Sequence, residues 1–133
     1  VLGARVAGQG ALPFLPLALT GFGALTASGS PTARLAAWIT GAHRAVLAAL
    51  MALERLVQWR VRAQAETADL QGRTPARLIG ALLAHPMLAA PQAEAETGAS
   101  RAAVQRNLDT LRARGLVREV TGHGRFRVWA AKL

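Results

Sequence analysis

Apolar residues recur at three- and four-residue steps from Thr32 to about Ala68: Leu35, Ile39, Ala42, Val46, Ala49, Leu53 and Val57. That spacing predicts one long amphipathic helix. Trp38, Leu47, Leu50, Leu56 and Trp59 widen its apolar face well beyond a narrow stripe. A helix apolar over so much of its surface must be covered by something. The candidates are residues 1–31, the C-terminal part of the chain, or a second copy. Ser30-Pro31-Thr32 marks the helix start, a hydroxyl cap beside a proline. Before it, residues 1–31 are broken by Gly and Pro, with a short helix or turn expected around Leu15–Leu19. After it, Arg60 to Thr67 reads as a solvent-exposed run, and Asp69–Arg73, with Gly72, as a linker.

The pattern changes after the linker. Thr74-Pro75 opens a second helix, with Thr as cap and Pro in the first turn. Leu78, Ile79, Leu82 and Leu83 form its apolar face, and it ends before Pro86. Pro91 opens a short third helix that Gly98 closes. Ser100 caps a fourth, on which Val104, Leu108 and Leu111 fall at i, i+4 and i+7. Gly115 stops it in the left-handed position favoured at helix ends. Leu116–Val120 then predicts a strand, Thr121-Gly122-His123-Gly124 a tight turn, and Arg125–Ala130 the returning strand. Val117, Phe126 and Val128 are expected to face the helices. Glu94 stands where a small residue usually meets the recognition helix, and neighbouring Ala93 is expected to take that place.

Charge separates the two parts. The chain carries a formal +9, and Lys132 is its only lysine. Residues 1–72 hold six Arg against Glu54, Glu66 and Asp69, a net of +3; residues 73–133 hold nine Arg and Lys132 against Glu94, Glu96, Asp109 and Glu119, a net of +6. Guanidinium forks match phosphate oxygens and guanine edges. Charge alone would equally suit RNA, an anionic membrane or an acidic protein. The absence of Cys excludes disulfides and thiolate chemistry and fits a reducing compartment. Residues 6–33 carry no charge, but Pro13, Pro16, Gly21, Gly23 and Gly29 argue against a membrane span. No convincing signal peptide is present. A chain that begins at Val1 is expected to be processed or part of a longer protein.

The candidate chemistry lies between Gly98 and Arg127. A helix-turn-helix needs a tight turn and a second helix that can enter the major groove. Gly98 supplies the turn, Ser100 the cap, and Val104 the buried lock. The outer face then carries Ser100, Arg101, Ala102, Gln105 and Arg106. Gln suits an adenine edge, Arg a guanine or phosphate, and Ser with the free helix-start amides a phosphate oxygen. The hairpin tip adds His123 and Arg125, and Arg127 shares a strand face with Arg125. Asp109 and Glu119 are expected to balance neighbouring Arg. His43, His85 and His123 lie far apart without Cys partners, so no metal site is expected, and surface positions suit all three. No catalytic carboxylate pair or phosphate loop appears, so neither enzyme activity nor a cofactor is expected.

The stretch GASRAAVQRNLDTLRARGLVREVTGHGRFRVW, Gly98–Trp129, resembles bacterial winged-helix proteins. With Leu12-Pro13-Phe14-Leu15-Pro16-Leu17 and the helix from Arg34 to Arg62, the chain is similar to a family of uncharacterised bacterial proteins common in rhizobia. Those end in a winged helix-turn-helix regarded as DNA-binding, and a further N-terminal region precedes the part that resembles this chain. The C-terminal module also resembles the winged helix that trails Fic-type nucleotide transferases. His85-Pro86 lacks the Phe and the Gly-Asn-Gly-Arg loop of that enzyme, so its catalytic part is absent.

The expected fold is mostly α: a long N-terminal helix followed by a winged helix-turn-helix with a C-terminal β-hairpin. Two parts are expected, an apolar segment and long helix at 1–72 for dimerisation or docking, and a DNA-binding domain at 73–133. The expected function is sequence-specific binding of double-stranded DNA by a cytoplasmic, bacterial transcriptional regulator, without a membrane. A homodimer through Trp38–Trp59 is expected. The rival readings are a protein-interaction module and an accessory domain of a larger enzyme. Target sequence, effector and direction of regulation are not encoded in any motif.

Overall fold

A computed structural model describes residues 16–122 and 127–133. It contains a 3-10 turn at Phe22–Ala24 and then α1 (Pro31–Glu66), α2 (Thr74–Ala84), β1 (Leu88–Ala89), α3 (Ala90–Thr97), α4 (Arg101–Ala113), β2 (Val117–Glu119) and β3 (Val128–Ala131). The mostly helical chain with a small C-terminal sheet is the expected class. Two compact units divide inside α1, at Val1–Glu54 and Arg55–Leu133.

In the first unit, Ser30 caps α1 as its sequence predicts, accepting from Ala33 N at 3.2 Å. A turn at Leu17–Gly21 leads into the 3-10 turn and packs on α1 around Gly41 and Ala45. The approach is close enough to need glycine on both sides. A Cβ on Gly21 would lie 2.7 Å from the Gly41 carbonyl oxygen, and one on Gly41 would lie 2.5 Å from the Ala24 Cβ. Leu17 and Ala45 are fully buried there. Much of the other apolar surface is open: Leu35, Trp38, Ile39, Leu50, Met51 and Leu53 are all exposed, as is Val57 where the second unit begins. By length and composition α1 is apolar enough to cross a membrane.

In the second unit the end of α1 becomes core. Trp59 and Ala63 are buried with Leu78 and Leu82 of α2, Leu88 of β1, Val104, Leu108 and Leu111 of α4, and Leu116, Val117 and Trp129. This corrects two expectations. Trp59 does not belong to an outward face, because its indole fills the core and its Nε1 donates to the Leu116 carbonyl at 2.8 Å. The run Arg60–Thr67 is not wholly exposed, since Ala63 and Thr67 point inward at one-turn spacing. Arg62 adds a bond to the Lys132 carbonyl at 2.7 Å.

The sheet has the order β1-β3-β2, antiparallel throughout. Glu119 and Leu88 both stand opposite Trp129, and Val117 opposite Ala131. β1 is too short to carry a periodic signal, and the sequence reading omits it. Val117 faces the core as expected and Val128 is half-buried, while Phe126 lies outside the described residues. One cap is misassigned by sequence. Thr74 is already helical, and Arg73 occupies the cap position without a side-chain bond. Its carbonyl accepts from Arg77 N, so the helix starts one residue early.

Beyond the end of α1, Arg114 grips the linker. Its guanidinium donates to both Asp69 oxygens, at 2.5 and 2.7 Å, and to the Glu66 carbonyl. The Arg114 hydrogen bond is the main cause that holds the Asp69 carboxyl below its ordinary range. A depressed carboxyl stabilises the fold above its unfolded pKa, and that contribution is lost as pH falls through the folded value. Asp69→Asn should therefore melt slightly below wild type at pH 7, with the gap narrowing once pH falls below the ordinary carboxyl value of about 3.9 and closing as pH falls through the folded value. A gap independent of pH in parallel melting curves would mean that the clamp does not form.

Candidate nucleic-acid interface

The turn between α3 and α4 is held from several sides. Gly98 adopts φ +64°, and its amide donates to the Glu94 carbonyl at 2.8 Å. Thr97 is buried, donates from Oγ1 to the Ala93 carbonyl at 2.6 Å and accepts from Ala99 N at 3.3 Å. Arg77 reaches across from α2 to the Thr97 carbonyl at 2.6 Å, so a guanidinium closes the end of α3. Neither Thr97 nor Arg77 is singled out by sequence. A buried threonine just before the turn glycine is the signal that was there to be read.

Ser100 caps α4, accepting from Ala103 N at 3.4 Å. Ala93, fully buried, lies in the core cluster with Val104 of α4, and Glu94 stays half-buried at its edge. At the other end, Leu116 N donates to the Leu111 carbonyl and Gly115 N to the Arg112 carbonyl, both at 2.9 Å, with Gly115 at φ +69°. These paired bonds are a Schellman ending, and Leu111 and Leu116 supply its apolar contact in the core. Between the two stops, Val104, Leu108 and Leu111 are buried. Ser100, Arg101, Ala102 and Arg106 are exposed and Gln105 is half-buried. The structure thus brings five of the expected residues to the start and first two turns of one helix.

Several of the expected residues already have partners. Arg101 Nε meets Glu94 at 3.1 Å, although its side chain stays three-quarters exposed. Gln105 Nε2 lies 3.0 Å from each oxygen of Asp109. Asp109 accepts from this amide, and its charge also acts on Arg127, whose pKa it helps to raise. Glu119 balances an arginine: Arg127 binds it at 2.8 Å and stacks over Trp129, 4.7 Å from the ring centroid. The Glu119 hydrogen bond is the first cause that raises the Arg127 pKa. Arg127 is built into the base of the wing. Among the described residues, Arg106 has no ion-pair partner.

The wing opens after β2. Val120 N donates to the Val128 carbonyl at 2.8 Å, Thr121 Oγ1 accepts from Val128 N at 3.2 Å, and Gly122 takes φ +63°. His123 and Arg125 lie outside the described residues. Of the other histidines, His43 is exposed and His85 pairs with Glu96 at 3.0 Å. Among the described residues no cluster of three His, Asp or Glu forms.

This is a winged helix-turn-helix with its outer helix face turned to solvent. Residues 69–125 match the sequence model of the MarR family. The match spans less than half of the chain and coincides with the module just described. No curated protein and no solved structure matches the chain. The MarR match and the fold together identify residues 69–125 as a winged helix-turn-helix of the kind that DNA-binding transcriptional regulators carry.

The turn makes a direct prediction. Replacing Gly98 by Ala puts a Cβ 3.5 Å from Arg77 Nη1, an ordinary contact, so the cost is the left-handed backbone alone. Gly98→Ala should lower stability by roughly 1–2 kcal/mol in urea unfolding. An unchanged midpoint would mean that the turn relaxes to a different conformation.

Proposed function

We propose that residues 73–133 bind double-stranded DNA sequence-specifically, with α4 in the major groove, and that the protein acts as a cytoplasmic transcriptional regulator without catalysis. The observation that carries this reading is the division of α4 into two faces. One face is locked into the core by Val104, Leu108 and Leu111, while the other carries Ser100, Arg101, Ala102, Gln105 and Arg106 outward. Such a helix meets the requirement for reading base edges from a fixed frame. Arg106 and Arg101 supply phosphate or guanine contacts, and Gln105 a base edge. The wing, through Arg125 and His123, lies on the backbone or in the adjacent minor groove. The likeness to rhizobial-type proteins and to the Fic-type module rests on sequence patterns alone.

Gln105→Ala should relax base preference at one position, at a cost of about 1–3 kcal/mol on the preferred site, and leave random duplex binding nearly unchanged. Arg106→Ala should weaken both kinds of site and reduce the salt slope by about one unit if it holds a phosphate. Binding measured on a duplex selected from a random pool checks both. Wild-type affinity from both variants would remove α4 as the reading element. A contact that does not weaken with salt would favour a protein partner.

We further propose that the protein is a homodimer through the exposed part of α1, from Trp38 to Val57. Sites read by helix-turn-helix dimers repeat at about one helical turn, ~34 Å, so a second copy doubles the contact. A membrane fits α1 less well, because Arg44 stands near the middle of its apolar stretch and a charge there costs about 2.5–3.5 kcal/mol or more. Sedimentation at micromolar concentration should give a dimer, and Leu50→Glu a monomer. A wild-type monomer would exclude this interface.

A further inference from the structure

On the outer face of α4, the Gln105 carboxamide and the Asp109 carboxylate sit one turn apart, in direct hydrogen-bond contact. Nε2 lies 3.0 Å from Oδ1 and 3.0 Å from Oδ2. An ionised carboxylate only accepts, so the amide must present its NH2 group to Asp109 and never its oxygen. A glutamine alone on a helix surface has no such constraint and can turn its amide over to suit whatever it meets. With one N–H committed to Asp109, the group keeps Oε1 and one N–H for a ligand. These lie side by side on one edge of the amide, an acceptor next to a donor. The major-groove edge of adenine offers the N6 donor beside the N7 acceptor, which is the complement. The guanine edge offers two acceptors, O6 and N7, and one of them would face Oε1. A freely turning glutamine can offer both its N–H groups to guanine instead.

Asp109 is itself exposed, four residues beyond Gln105, and among the described residues Arg106 beside it has no ion-pair partner. A negative charge on a surface that approaches phosphates also weakens binding to DNA of any sequence. The same carboxylate therefore acts in two ways. It fixes which way the reading amide faces, and it lowers the affinity that carries no sequence information. We propose that Asp109 is a specificity-determining positioning residue, which locks Gln105 in the orientation that selects adenine over guanine. This rests on the reading of α4 as the major-groove helix.

The test uses the full chain and a duplex selected from a random pool. Gln105→Ala identifies the base pair that Gln105 reads, as the position at which preference disappears. At that position, adenine and guanine duplexes are compared for wild type, Asp109→Ala and Asp109→Asn. Wild type should favour adenine by on the order of tenfold, and Asp109→Ala by about threefold or less. Asp109→Asn should behave like Asp109→Ala, because an Asn amide can donate as well as accept and so frees Gln105 to turn. Both variants should bind random duplex more tightly than wild type. In the Gln105→Ala background, Asp109→Ala should leave base preference unaltered, since there is no amide left to hold. An unchanged adenine-to-guanine ratio in both Asp109 variants overturns the proposal while leaving DNA reading by α4 intact. So does a preference of Gln105 for any base other than adenine. If wild type selects no sequence at all, the reading of α4 falls, and the role of Asp109 falls with it.

Discussion

The indole of Trp59 ties the reading module together. It lies at the end of a helix that is largely uncovered before it, and it is among the largest fully buried side chains in the protein. Its Nε1 donates to the carbonyl of Leu116, the residue that closes the Schellman ending of α4 and leads into β2. One ring thus touches the point where the recognition helix stops and the wing begins. Arg62 on the same helix holds the backbone after β3, and Arg114 at the end of α4 holds the turn after α1. The frame in which α4 presents its outer face depends on these long-range bonds as much as on the apolar core, because each satisfies a backbone carbonyl that the chain reversals leave free.

On that frame the candidate interface is less positive than its arginine content suggests. Glu94 holds Arg101, Glu119 holds Arg127, and Asp109 holds Gln105. These contacts differ in kind. Arg101 is exposed and its pair is weak in solvent, so DNA phosphate can displace Glu94. Arg127 lies between a carboxylate and an indole face, an arrangement that stiffens the wing's base rather than one that waits for a ligand. Arg106 and, farther along α4, Arg112 are exposed and have no ion-pair partner among the described residues, so they are left as ready cations on the helix.

Much of this module was legible in the residues, and the reason is local. Gly98 and Gly115 both adopt the positive φ that their positions at helix ends imply, Ser100 caps as its neighbours require, and Val104, Leu108 and Leu111 share one buried face. Each of these follows from interactions within a turn or two. The parts that sequence missed are those set by distant partners. Trp59 looks like one more apolar residue on a broad face until Leu116 is placed beside it. Thr74 looks like a cap until the backbone starts one residue sooner. β1 exists only because β3 pairs with it, and the amide of Gln105 meets Asp109 besides the arginine that this carboxylate was expected to balance.

The two glycine stops have a consequence of a different order. They bracket a helix of thirteen residues whose ends are set by backbone conformation and whose inner side is set by three apolar positions. On the outer side only Ser100, whose hydroxyl caps the first turn, takes part in fixing its length. The letters beyond that cap are free to be exchanged while the frame that holds them stays put. Change in what the module recognises is thereby separated from change in how it folds, and a lineage can drift from one target to another without passing through an unstable intermediate.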